Sequence, residues 1–237
     1  AAQAAQLQSV FREICSTRVD DDGVTFSAES VAVEEITAQA RYGGIRTEIE
    51  ARLGQARRIL QIDIGFGDAV IPGPNEIEFP ALLDGPPPVL LAYTLESTIA
   101  EKFEAMIRLS LANSRMKDFY DVYLLAVKNT FDGPTLREAI RETISRRGTS
   151  LERQLGVLAA EFAEDVQMQE KWKAFCRRVR SEADAAPDFP TVMRHIRGFL
   201  GPIYESICSE REFFGSWDPL KEAWTATSES AQDVFGV

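Results

Sequence analysis

Between Glu101 and Asp121 the sequence EKFEAMIRLSLANSRMKDFYD puts a lysine on one helix and the cluster Arg115, Lys117, Asp118, Asp121 at the head of the next. Asp118, Asp121 and Leu125 stand at i, i+3 and i+7, so both carboxylates fall on one helical stripe. The adjoining stripe, Phe119, Val122, Tyr123 and Ala126, is apolar and must face a core. The carboxylates therefore border a buried face, where a charge is costly unless it is paired. Lys102 holds the same position on the preceding helix, flanked by Ile99, Phe103, Met106 and Ile107. A lysine and two carboxylates so placed are either an ion-pair latch between two helices or part of a functional site.

Asp63 is the second residue out of keeping with its surroundings. It lies in LQIDIGFGD, between two isoleucines of a strand, where propensity gives no reason for a carboxylate. Carboxylates on neighbouring strands hold Mg²⁺ in phosphoryl-transfer folds, and the competing reading is an aspartate on the solvent face of an antiparallel sheet. Glu48 and Glu50 follow Gly43-Gly44 as an E-x-E, superficially a nucleotidyltransferase signature. Arg46 and Arg52 are interleaved on the same face and favour a cross-strand salt-bridge ladder instead. Asp20-Asp21-Asp22-Gly23 reads as a turn, because consecutive side chains on a turn diverge.

The elements that carry these residues follow from periodicity. A helix is expected over Leu7–Cys15, with short strands at Thr17–Val19, Val24–Phe26 and Val31–Ile36. Ile45–Leu53 and Ala56–Phe66 alternate as a hairpin closed by Gly54-Gln55. Leu60, Ile62, Ile64 and Phe66 share one face of its second strand, Gln61 and Asp63 the other. Six prolines between Pro72 and Pro88 make residues 71–90 an extended connector. Helices then follow: one capped by Thr94 and running to about Leu111, one over Asp118–Val127, one over Thr135–Arg147, and more near 155–165, 167–181 and 190–208. Strands followed by helices predict an α+β chain, a small antiparallel sheet and then a helical domain. The expected divisions are 1–91 for the sheet domain, 92–212 for the helical domain and 213–237 for a C-terminal tail.

The 237 residues carry a net charge of −11, which disfavours broad, non-specific nucleic-acid binding but leaves room for a local basic groove at Arg57-Arg58, Arg146-Arg147 or Arg177-Arg178. Each of these pairs also reads as a solvated face. No apolar run approaches the ~20 residues that span a bilayer, so no membrane is expected. Three scattered cysteines without metal-ligand spacing fit free thiols in a cytoplasmic protein. The single histidine, His195, argues against a His-rich metal site or a Ser-His-Asp triad and reads as a surface or boundary residue.

Taken in order, LQIDIGFGD, the proline-rich connector, TIAEKFEAM and NSRMKDFYDVYLL resemble the AbiEii/AbiGii toxin family, from about Val10 to Leu125 and more loosely beyond. The resemblance implies a partial nucleotidyltransferase of the polymerase-β-like superfold, in a bacterial toxin–antitoxin and phage-defence system. It implies Mg²⁺ and an NTP as cofactors, a cognate antitoxin as partner, and a tRNA or protein as acceptor. Carried over by position, Asp63 would be the strand carboxylate beside the metal. Lys102 would contact the nucleotide phosphates, with Lys117 and Arg115 on the same ligand. Asp118 and Asp121 would position the acceptor or act as base. The family's paired-glycine and Asp-x-Asp motif does not occur here, and the chain is expected to begin just after it. On that reading nucleotidyl transfer is expected to be absent in this form. The alternative is a catalytically silent module that binds an antitoxin or RNA.

Overall fold

The structure, a computed structural model, describes residues 2–36, 43–81, 85–179 and 187–226. The architecture is mixed α+β, as the element order predicts, and the chain divides into two units, Ala1–Asp68 and Ala69–Val237.

In the first unit, helix α1 (Ala2–Ser16) precedes strands β1 (Val24–Phe26), β2 (Ala32–Ile36), β3 (Gly44–Leu53) and β4 (Ala56–Ile64). The helix starts five residues earlier than the apolar stripe indicates, because its alanines favour helix without contributing a pattern. No residue of α1 is fully buried, and Gln8 Nε2 ties it to the Val31 carbonyl at 2.9 Å. Strand β3 is the spine of an antiparallel sheet. Strand β4 pairs along its whole length, from Ile45↔Ile64 to Leu53↔Ala56. Strands β2 and β1 share the other edge, opposite Gly44–Glu48 and Ala51–Leu53 respectively. The strand expected at Thr17–Val19 does not form. There the Asp21 and Asp22 side chains accept the Gly23 and Val24 amides, so the acidic run is a turn and β1 finds its partner in β3. Val31, Ile45 and Ile49 are the buried large apolar side chains of this unit among the described residues. Ile62 and Leu60 do share a face of β4, but that face is open: β4 is exposed along almost its full length.

The second unit opens with the hairpin β5 (Asn75–Glu78) and β6 (Val89–Ala92), which forms inside the proline-rich connector. Its helices are α2 (Leu95–Leu109), α3 (Met116–Lys128), α4 (Gly133–Arg147), α5 (Ala160–Glu164), α6 (Val166–Arg178) and α7 (Phe189–Cys208). Thr94 caps α2 by accepting the Ser97 amide, and its hydroxyl donates to the Ile71 carbonyl at 2.8 Å, strapping the connector to the helix. Ten residues of α7 are buried, and α3, α4, α5 and α6 all pack against it. Aromatic rings fill the space between them, with Phe119 edge-on to Phe189 at 5.5 Å. The sequence from 213 onward shows little periodicity, yet it forms strands β8 (Ser216–Asp218) and β9 (Ala223–Thr225), which pair with the two-residue strand β7 (Phe131–Asp132). Two indoles anchor this small sheet: Trp217 Nε1 donates to the Ala126 carbonyl at 2.7 Å and Trp224 Nε1 to the Phe199 carbonyl at 2.8 Å.

Candidate functional site

Helix α2 buries Ile99, Phe103 and Met106, which sets Lys102 at the border of that face. Helix α3 buries Phe119, Tyr120, Val122 and Ala126 and holds Asp118 and Asp121 at its own border. The turn between the helices is fixed from two sides. Asn113 Oδ1 accepts the Arg115 amide at 2.7 Å, and Lys171 of α6 donates to the carbonyls of Leu111 and Asn113. Asp118 lies in the first turn of α3, where a negative charge is favoured by the helix dipole.

These elements bring the expected residues together. Lys102 Nζ donates to Asp118 Oδ1 at 2.9 Å and to Asp121 Oδ2 at 2.7 Å. The same Asp121 oxygen accepts Lys117 Nζ at 2.7 Å. Arg115 Nε stands 2.8 Å from Asp118 Oδ2, an ion-pair contact without hydrogen-bond alignment. The cluster is graded in depth: the Asp118 side chain is 4% exposed and that of Lys102 18%, whereas Arg115 and Lys117 are 59% and 73% exposed. Burial works to lower the Lys102 pKa, but the hydrogen bonds it donates to Asp121 and Asp118, with their charges, outweigh it, and the ammonium is held above its ordinary value. Lys102 is therefore a fixed cation and no base at neutral pH.

A second network, which local spacing does not reveal, lies behind it on α2. Arg147, read from sequence as half of a solvated basic pair, turns inward and pairs with Glu101 and Glu104. Glu104 is fully buried and also accepts Thr149 Oγ1 at 2.6 Å and Arg108 Nε at 3.2 Å. The signal for it was the acidic pair Glu101 and Glu104 flanking Lys102, which has meaning only once α4 is packed on α2. His195 is a boundary residue: its ring is edge-on to Tyr123 at 5.2 Å and Nε2 lies 3.1 Å from a Glu222 oxygen.

Asp63 belongs to the first unit. Arg46, its partner in the β3–β4 register, holds both of its oxygens, Nε at 2.8 Å and Nη2 at 3.0 Å. That fork lowers the Asp63 pKa below the ordinary aspartate value. Four residues along β3, Glu50 receives Arg52 at 2.5 Å and Arg57 at 2.6 Å, which lowers its pKa in the same way. Of the arginines interleaved with the acids, Arg46 thus pairs across the strands with Asp63, whereas Arg52 reaches Glu50 along its own strand. The second cross-strand rung, Glu50 with Arg57, is supplied from β4.

A family model described as the nucleotidyl transferase AbiEii toxin of type IV toxin–antitoxin systems matches residues 2–195. The chain belongs to this family. No curated protein and no solved structure matches it. An AbiEii-family chain implies an antitoxin partner, and nucleotidyl transfer implies an NTP and a divalent metal. The carboxylates described here do not fit a resident divalent cation. Asp63 is engaged by Arg46, and Asp118 and Asp121 by Lys102, Arg115 and Lys117. Among the described residues no three His, Cys, Asp or Glu side chains form a group that could hold a metal ion. No helix among them is long and apolar enough to cross a membrane.

Proposed function

We propose that the α2–α3 cluster is the phosphate- and acceptor-facing part of a nucleotidyl-transfer site in an AbiEii-family toxin, with an RNA such as tRNA or a protein as acceptor. The observation that carries this reading is the gradation of charge across the cluster. Lys102 fixes Asp118 and Asp121 in one place, while Arg115 and Lys117 present exposed cations at the head of α3. In nucleotidyl transfer an acceptor hydroxyl displaces pyrophosphate from the α-phosphorus of an NTP. Such chemistry depends on holding phosphates and hydroxyl in place and on fixed charges that need no reorganisation. Arg115 and Lys117 supply cations for the phosphates, and Lys102 adds a third where the phosphates reach into the cluster. Asp121, at the exposed side of the pair, orients the hydroxyl, and Asp118 keeps Lys102 in register. Asp63 is held by Arg46, and Asp118 and Asp121 by their cations, so no step is assigned to a metal held by these residues.

The test is nucleotide binding followed by transfer. Labelled NTPs are titrated into the chain and into Lys117→Ala, Arg115→Ala and Lys102→Met. Each is then incubated with Mg²⁺, total tRNA and protein extract, and labelled product is read on a gel. Binding that weakens about tenfold in each variant supports the reading, since loss of one charge-assisted contact is worth about 1.5 kcal/mol or more. Binding indifferent to all three leaves the cluster as a latch.

A second reading, a silent module that binds antitoxin or RNA, is favoured by one observation. Every carboxylate of the candidate site is already paired with at least one cation. It predicts no labelled product but retained capture of the antitoxin.

A further inference from the structure

Strand β4 is the outer edge of the first unit's sheet: β3 lies on one side of it and no described strand on the other. Its nine residues are exposed except for the last, and Ile59, Leu60 and Ile62 are 50%, 41% and 37% exposed. An edge of that length, with apolar side chains on both faces and no proline, is a template for another strand. Arg57 and Arg58 are its only gatekeeping charges at the hairpin end. What the edge fits is set by its own charge order. Arg57 and Asp63 lie on one face, each three residues from Leu60. An antiparallel copy of β4 centred on Leu60 therefore sets Arg57 against Asp63 twice.

The register within the sheet strengthens that match. Arg57 stands directly opposite Arg52, a like-charge pair that Glu50 relieves from one side only. In the paired edge the carboxylate of Asp63 from the second copy arrives on the open side of Arg57. The row then reads Arg46, Asp63, Arg57, Arg52 across two chains, alternating at the join. Hydrogen bonding agrees. The Gly54-Gln55 loop closes on the Leu53↔Ala56 pair, whose bond is that of a β-turn. Every second pair from there bonds within the hairpin, so the even-numbered residues of β4 turn their amides to β3. Arg57, Ile59, Gln61 and Asp63 turn theirs outward, and these are the residues the two-fold register sets opposite one another.

We propose that the chain self-associates through β4, joining two sheets antiparallel about a two-fold axis at Leu60. Leu60 then faces its own counterpart across a pair without hydrogen bonds, where Cα atoms lie about 4.5 Å apart and a disulfide fits. The experiment uses the full chain with Cys15, Cys176 and Cys208 changed to Ser, carrying either Leu60→Cys or Ile62→Cys. Mild oxidation should cross-link the first and leave the second, whose position 62 faces Arg58 of the other copy, without a cross-link. In the unmodified chain, light scattering over a concentration series should show dimer. Gln61→Pro removes an outward amide, a change edge strands tolerate, and should raise the dissociation constant about tenfold or more with an unchanged circular dichroism spectrum. Should that variant fail to fold, Ile59→Lys serves the same purpose. A chain that stays monomeric at all concentrations, cross-linking at position 62 instead of 60, or pairing of β4 only with a strand of another protein would overturn the proposal.

Discussion

The two units of this chain use the same kind of interaction, a basic side chain paired with carboxylate, to different ends. In the helical unit Lys102, Asp118 and Asp121 lie against a bed of Phe103, Met106, Phe119 and Val122, all without exposed surface. In the sheet unit Arg46 and Asp63 meet in the open, and the sheet beneath them rests on Val31, Ile45 and Ile49. A pair flanked by packed apolar groups is shielded from water and salt, and its loss leaves a charge that cannot be solvated. A pair on an open strand loses little when broken, because water and counter-ions replace the partner. The difference separates a charge cluster that is mechanically part of the core from one that links two strands on an open sheet face.

The largest effect that would sharpen this contrast comes from the aromatic packing. Phe199 touches Phe131, Trp217 and Trp224 with centroids 5.2, 4.9 and 5.7 Å away. Phe199→Ala should destabilise the chain by about 3–5 kcal/mol in denaturant titration. Ile14→Ala, on a helix with no buried residue, should stay within about 0.5 kcal/mol. A cost for Ile14 comparable to that for Phe199 would break the comparison.

Next in size is the coupling between helices. A double-mutant cycle of Lys102→Met and Asp118→Asn should give about 1–3 kcal/mol of interaction, because Asp118 is nearly sealed from solvent. The matching cycle of Arg46→Met and Asp63→Asn should give none that can be resolved. Equal couplings in the two units would show that burial is not what distinguishes them.

Much of this arrangement was legible in the sequence, and for local reasons. The β3–β4 hairpin follows from period-two alternation around Gly54-Gln55, and the Lys102–Asp118–Asp121 cluster from i, i+3 spacing beside apolar stripes. What escaped depends on contacts distant in the chain. Trp217 and Trp224 have no periodic neighbours, and their anchors, the carbonyls of Ala126 and Phe199, are 91 and 25 residues away. Arg147 looked solvated because its partners Glu101 and Glu104 are 46 and 43 residues earlier. The hairpin β5–β6 was hidden by prolines that flank its strands, of which Pro88 still contributes its carbonyl to the Phe79 amide. The openness of β4 could not be read either, since alternation says which residues share a face and nothing about what covers it.

A smaller effect distinguishes the units by pH. Asp63 and Glu50 have pKa values depressed in the folded chain. Their contribution is fully present above the unfolded carboxylate values, about pH 4, and is lost as pH falls through the folded ones. Lys102 is raised, so its contribution is complete below the unfolded lysine value of about pH 10.4 and is lost only as pH rises beyond it. Amide exchange across β3 and β4 should therefore accelerate on acidification below about pH 4, while amides of α2 and α3 lose protection at the alkaline end. The reverse assignment would contradict the ion-pair pattern of both units.

The smallest expected effect is that of Asp63→Asn on stability. The side chain keeps its shape, one oxygen can still accept a hydrogen bond from Arg46, and the lost charge faced water. Thermal melting near neutral pH should be unchanged, and the acid sensitivity of β4 should be reduced without vanishing, because Glu50 with Arg52 and Arg57 remains. That silence makes the variant informative about the proposed nucleotidyl-transfer site. A residue whose only work is to pair with Arg46 has nothing further to lose. If Asp63 also meets the nucleotide, Asp63→Asn will alter NTP binding or transfer in a chain whose melting curve is unaltered, and Arg46→Met, which frees the carboxylate, will shift the same signal in the opposite direction. If both variants leave binding and transfer unchanged, Asp63 has no part in the nucleotide site, and the chemistry of the chain rests on α2 and α3.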